Sequence, residues 1–308
     1  MIQRKTIATG LMAFMFIAGQ TSCEKVIFDE EETATERTEN VTNETGEKTD
    51  KDKGKYNVVL RVSNFNMVPI TRDVVDLTTY CTRLNFVVYK DGEKIAGKSQ
   101  MKEEDENFGE VKMKLDVNTT YKLMVLAHSS KGGNPVVSDP ENIQFTNALG
   151  YTDTFCYYGD LEVKSGETVQ EVTLTRASSQ LCFTITDEIP AEVTHMYFYY
   201  TGGSGVLNAV TGFGGNVNSR QEKNVNVVGY SAPLPIHIFT FLRENEGSLN
   251  LKAEALDANK NVVHSREFEN VPMKRNAVTI FEGAFFSHDQ SFTIKGETEW
   301  NDTIRLDF

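Results

Sequence analysis

RLNFVVYKDGEKIAG, residues 83–97, decides the fold class. Leu84, Phe86 and Val88 alternate with Asn85, Val87 and Tyr89, the period of an extended strand whose side chains point to opposite faces. Asp91-Gly92 supplies two residues that tolerate positive φ, so the chain turns back on itself in a hairpin. The same period recurs on both sides. Val58, Leu60 and Val62 share a face upstream. Downstream, Lys98–Gly109 is polar and reads as a loop, and VKMKLDV (111–117) then aligns Val111, Met113, Leu115 and Val117. Tyr121, Leu123, Val125 and Ala127 align likewise. Phe155–Val163 and Thr168–Arg176, joined by a Ser165-Gly166 turn, complete a first set of strands.

A second set begins near Ala177. LCFTIT, VTHMYFYY, LPIHIFTFL, LNLKAEAL, NVVHSREF, AVTIFEGAFF, SFTIKG and DTIRLDF are short β-rich segments separated by turns. No window sustains a helical period. Many short strands at regular spacing predict an all-β chain of two tandem antiparallel β-sandwich domains, residues 56–176 and 177–308. The last strand places Ile304, Leu306 and Phe308 on one face, and no later element follows to lock it. Such a strand either completes its own sheet or adds to the open edge of a neighbour.

The N-terminus is of another kind. Arg4 and Lys5 precede an apolar run from Leu11 to Ala18, and small residues lead to Cys23. That is a secretory signal, and the run is too short to span a bilayer. The cysteine at the cleavage point resembles a lipobox, with Gln20 where many lipoboxes carry leucine. Residues 1–22 are thus expected to be a lipoprotein signal peptide and Cys23 the lipid attachment site, holding the mature chain to a membrane. Residues 23–55 are dominated by Glu, Thr, Asn and Lys, with too little apolar surface to order themselves, and are expected to be an acidic flexible tether. The acidic run Asp29–Glu32 resembles the signal that exports lipoproteins to the outer face of a bacterial outer membrane.

Net charge is −13, and it becomes −15 once the leader's two bases, Arg4 and Lys5, are gone. Such a chain is repelled by nucleic acid and by anionic headgroups, so neither is an expected partner.

Motifs for catalysis are not found. TGGSGVL fails the nucleophile-elbow spacing because Val206 stands two positions after Ser204, and TGFGGN has Val217 where a dinucleotide loop needs its third glycine. Both clusters read as turns. The five histidines are scattered, with His195 and His237 expected on sheet faces, and no spacing suggests a metal or cofactor. Asp105, Asn107 and Gly109 match only part of a calcium loop. Cys81, Cys156 and Cys182 read as small strand residues. The aromatic run Tyr197–Tyr200 fits strand packing, with contact to sugars as the alternative.

Several blocks together resemble the FimB-type minor fimbrial subunits of Bacteroidales type V pili. They are YCTRLNFVVYKDG (80–92), FGEVKMKL (108–115), YKLMVLAHS (121–129), TDTFCYYG (152–159), LTRASSQLCFTI (174–185) and FYYTGGSGVLNAVTGFGGNVNSRQ (198–221). NVPMKRNAVTIFEG (270–283) and Trp300 fit as well. The resemblance implies two transthyretin-like sandwiches and no enzymatic activity. It implies a lipidated, surface-exposed subunit at the outer membrane, most like the anchor that attaches the fibre, with other fimbrillins, including the shaft protein, as partners. Assembly in this family is by strand donation, which makes Ile304, Leu306 and Phe308 the candidate donor residues. Shaft members are cut by an arginine-specific protease, and Arg37 and Arg61 are available for that. The alternative is a surface lipoprotein acting as a tip adhesin or as a module for glycans or host proteins.

Overall fold

The computed structural model describes residues 55–66, 77–146, 150–215, 220–287, 294–296 and 303–307. Cys23, the tether up to residue 54, Trp300 and Phe308 lie outside the described residues.

The first half holds β1 (Val58–Asn66), a 3-10 turn (Leu77–Thr79), β2 (Arg83–Lys90), β3 (Glu93–Met101), β4 (Glu110–Met113), β5 (Thr119–His128), β6 (Ile143–Gln144), β7 (Phe155–Val163) and β8 (Thr168–Arg176). The predicted hairpin is β2–β3, and Asp91 and Gly92 take φ of 53° and 87° at its turn. β3 runs on to Met101, so the stretch expected as a loop from Lys98 shrinks to residues 102–109. The polar side chains there belong to an edge strand that is exposed along most of its length, with Gln100 alone buried.

Seven of these strands form one sheet, ordered β3-β2-β5-β7-β8-β1-β4. Its two edges are brought together by one side chain. Gln100 of β3 donates to the carbonyls of Asn107 (3.1 Å) and Glu110 (2.9 Å) and accepts from the Gly109 amide (2.9 Å). The curled sheet encloses a core of Val58, Leu60, Phe65, Leu84, Phe86, Leu123 and Phe155, among others.

The second half holds β9 (Ser179–Ile185), β10 (His195–Thr201), β11 (Val206–Asn208), β12 (Phe213–Gly214), β13 (Gln221–Asn226), β14 (Leu234–Thr240), β15 (Glu246–Leu256), β16 (Val262–Lys274), β17 (Val278–Gly283), β18 (Ile294–Gly296) and β19 (Thr303–Asp307). A sheet ordered β13-β10-β15-β16 faces one ordered β14-β9-β17-β19-β18. Phe183 sits at the centre of this sandwich, its ring 5.2 Å from Phe198, 5.6 Å from Phe268 and 5.9 Å from Phe281. The first two are edge-on, and aromatic rings in such contact add to the area they bury.

A third apolar cluster uses the other face of the first sheet. Val87, Tyr89, Met124 and Leu126 pack with Ile143, Tyr151, Leu207 and Phe241. β6 also pairs with β11, and β11 with β12, so a small sheet is shared by the two halves. This explains why β2 and β5 are buried on both faces although their sequences alternate. The glycine clusters expected as turns thus hold two short strands, which long-range pairing and not a local period creates.

Pairing departs from the antiparallel expectation at three places: β1 with β8, β9 with β17 and β17 with β19 run parallel. Strand direction depends on where the chain crosses between sheets, which side-chain period does not encode.

Candidate functional site

The C-terminal strand, expected above either to complete its own sheet or to add to a neighbour's, lies on a defined seat. β17 has two edges. β9 lies along one, and β19 along the other, in parallel, from Val278 opposite Thr303 to Glu282 opposite Asp307. In that register Ile304 stands opposite Thr279 and Leu306 opposite Phe281. β18 pairs antiparallel to the far side of β19 over three residues. The strand thus completes its own chain's sheet here, one of the two expected outcomes. Thr279 is fully buried and donates its hydroxyl to the Pro272 carbonyl (2.9 Å), tying β17 to the end of β16.

The chain leaving β17 is held from both sheets. The Asp187 carboxylate, just after β9, accepts from three successive amides: Phe285 (2.7 Å), Phe286 (2.7 Å) and Ser287 (2.9 Å). Arg266 of β16 donates to the Ala284 carbonyl at 2.7 Å. The His264 ring lies 5.1 Å from that of Phe285 and 5.7 Å from that of Phe286. Sequence reasoning missed Asp187, because its partners stand 98 to 100 residues further on and no spacing announces them.

The groups weighed for catalysis have other occupations. Ser204 is fully buried, and its hydroxyl donates to the Val206 carbonyl (3.0 Å). The glycines around it allow close approach: at Gly214 a β-carbon would stand 2.6 Å from the Phe241 carbonyl. His237 is Cys182's cross-strand neighbour, yet its Nδ1 bonds Gln180, and the Cys182 sulfur lies 3.7 Å from the Thr184 hydroxyl. His195 bonds Thr194 at 3.0 Å. His128 is fully buried, and burial, helped by Arg83, lowers its pKa to about 4. Its Nδ1 accepts from the Ser130 amide (3.2 Å), so Nε2 carries the proton donated to Asn85 (3.1 Å). Burial pushes the thiols of Cys81 and Cys156 up to about 12. Among the described residues no group of three or more His, Cys, Asp or Glu side chains could hold a metal ion. No described helix is long and apolar enough to cross a membrane.

Arg61, offered above as a protease site, is inside β1. Its backbone pairs with Glu110 on one side and Glu171 on the other, and its guanidinium contacts Glu110. A backbone held in two ladders cannot enter a protease cleft without local unfolding. Arg37 lies outside the described residues.

A family model matches residues 47–307. The chain belongs to DUF6562, a family of unknown function. No curated protein matches the sequence of this DUF6562 member. Solved structures similar to it include a candidate adhesin from Bacteroides ovatus ATCC 8483, 13% identical over 74% of this chain and 88% of that one, with a TM-score of 0.47. The fimbrial anchor protein Mfa2 from Porphyromonas gingivalis is 12% identical over 68% of this chain and 80% of its own, with a TM-score of 0.41. A fimbrial assembly protein from Parabacteroides distasonis ATCC 8503 is 12% identical over 71% and 85%, with a TM-score of 0.33.

Proposed function

We propose that this chain is a lipid-anchored fimbrial subunit that joins its fibre by strand exchange. In this reading Cys23 carries the lipid at the outer membrane and the chain terminates a fibre there. Ile304, Leu306 and Phe308 are the donor residues, and the sandwiches divide near residue 176. The observation that carries it is the parallel seat of β19 on β17. A strand with alternating apolar residues covers an edge that a neighbour's strand could equally cover, and backbone hydrogen bonds supply affinity in such an addition. The leader ending at Cys23 supports the lipid, and the acidic tether supports a chain held off the membrane surface.

Two variants test the reading in cells that make fibres. Cys23→Ala is expected to shed fibres into the medium, and fibres that stay attached would overturn the anchor role. Deletion of 302–308 is expected to abolish co-purification with a shaft fimbrillin while the lipidated chain remains at the surface. A complex that survives the deletion would overturn strand donation.

A further inference from the structure

We propose that the outer face of the β13-β10-β15-β16 sheet is a platform for a neutral, extended glycan, centred on Tyr197 and Tyr199. Strand alternation turns Phe198 and Tyr200 into the core and leaves Tyr197 and Tyr199 half-exposed on the opposite face. The register sets two rows of side chains across that face. One row is Glu222, Tyr199, Lys252 and Glu267; the other is Asn224, Tyr197, Glu254 and Ser265. A shallow groove of about 250 Å³ runs beside Tyr199, bordered by Arg220, Asn250 and Glu269. Each ring is therefore flanked by hydrogen-bonding groups one strand away, roughly 4.8 Å on either side.

The rings are held in place. Their centroids are 4.5 Å apart. Arg220 lies 4.1 Å over one side of Tyr199 and 3.0 Å from Glu222, whose other oxygen accepts from the Tyr197 hydroxyl at 2.5 Å. Rigid aromatic groups lose little entropy when a ligand covers them, which is where preorganised sites gain affinity.

The chemistry of the face selects its occupant. Glu222, Glu254, Glu267 and Glu269 outnumber Arg220 and Lys252, so phosphate, sulfate and uronate polymers are repelled. Apart from the rings, apolar surface on this sheet lies at one end, at Leu256, Val262 and Val263, and the middle carries carboxylates that a purely hydrophobic partner would bury without compensation. A sugar chain without charge offers what remains. Its C–H groups pack on the exposed parts of the tyrosine rings, and its hydroxyls donate to Glu267 and bond the Lys252–Glu254 ion pair (2.6 Å), whose lysine is the more exposed partner. This face lies on the sheet opposite to that of β19, so the proposal does not depend on strand exchange.

The test is affinity electrophoresis of the full mature chain in gels containing α-mannan, galactomannan or β-glucan, with polygalacturonate as the anionic probe. Retardation is expected in at least one neutral gel and none in polygalacturonate. Tyr199→Ala is expected to weaken the retardation tenfold or more, Glu267→Gln severalfold, and Tyr230→Ala, at an exposed loop site elsewhere, not at all. Glu267 is exposed, so its variant reads the surface even if Tyr199→Ala unfolds. Mobility unchanged in all three neutral gels, retardation that survives both Tyr199→Ala and Glu267→Gln, or preference for polygalacturonate would overturn the proposal.

Discussion

Asp187→Ala removes one acceptor from three backbone amides at once. Phe285 is fully buried and Phe286 half-buried, whereas Ser287 faces solvent and can turn to water. Leaving a buried donor unsatisfied costs about 1–3 kcal/mol, so the two inner amides together set an expected loss of about 2–6 kcal/mol, in the lower half of that range because Phe286 is only half-buried. Asp187→Asn keeps one carbonyl acceptor in nearly the same place and should lose about half of that. The residues affected join β17 to the chain that continues toward β18 and β19, so the opening should be local before it is global. Urea denaturation gives the global figure, and hydrogen exchange at 284–287 gives the local one. The expected pattern is faster exchange at those amides and a lower urea midpoint with an unchanged slope. A midpoint shift equivalent to less than 0.5 kcal/mol (roughly the scatter of surface substitutions) with unchanged exchange would refute the latch.

His128 is neutral in the fold with a pKa near 4 and has an ordinary value of 6.5 when unfolded. Its contribution is therefore complete above pH 6.5 and falls away as pH drops toward 4, by roughly 3 kcal/mol at most. Thermal melts between pH 7.5 and 4.5 should show that loss, and His128→Gln should flatten it; equal slopes in both would contradict the assignment. Burial keeps Cys81 and Cys156 protonated, so a thiol reagent at pH 8 should modify Cys182 first among the three, and all of them in urea. Peptide mapping by mass reads the order. Arg176 is 5% exposed and holds Asp153 through both Nε and Nη2 at 2.9 Å, so Arg176→Ala should cost about 3–5 kcal/mol, read by urea denaturation.

Local chemistry carried much of the fold. The β2–β3 hairpin was legible because Asp91-Gly92 is a turn signal that acts over four residues, wherever the rest of the chain goes. β16 was legible only in part. NVVHSREF marks its start, but Asn270 at φ 56° and Pro272 hide its continuation to Lys274 from a period count. The aromatic run 197–200 was ambiguous in one dimension, and the sheet resolves it as two core rings and two outward ones.

The sequence alone determines an all-β chain, most of its longer strands and its acidic balance, because side-chain period, turn residues and charge are properties of short windows; the short strands β6, β11 and β12, and β13, are not among them. Only the tertiary structure decides that β1, β9 and β17 have parallel neighbours, that Gln100 closes the first sheet, and that Asp187 holds a segment about a hundred residues away. It alone aligns Tyr199 with Glu222, Lys252 and Glu267. Each of these joins residues distant in sequence, and what selects them is the closing of loops around a shared core, a free energy that no single window contains.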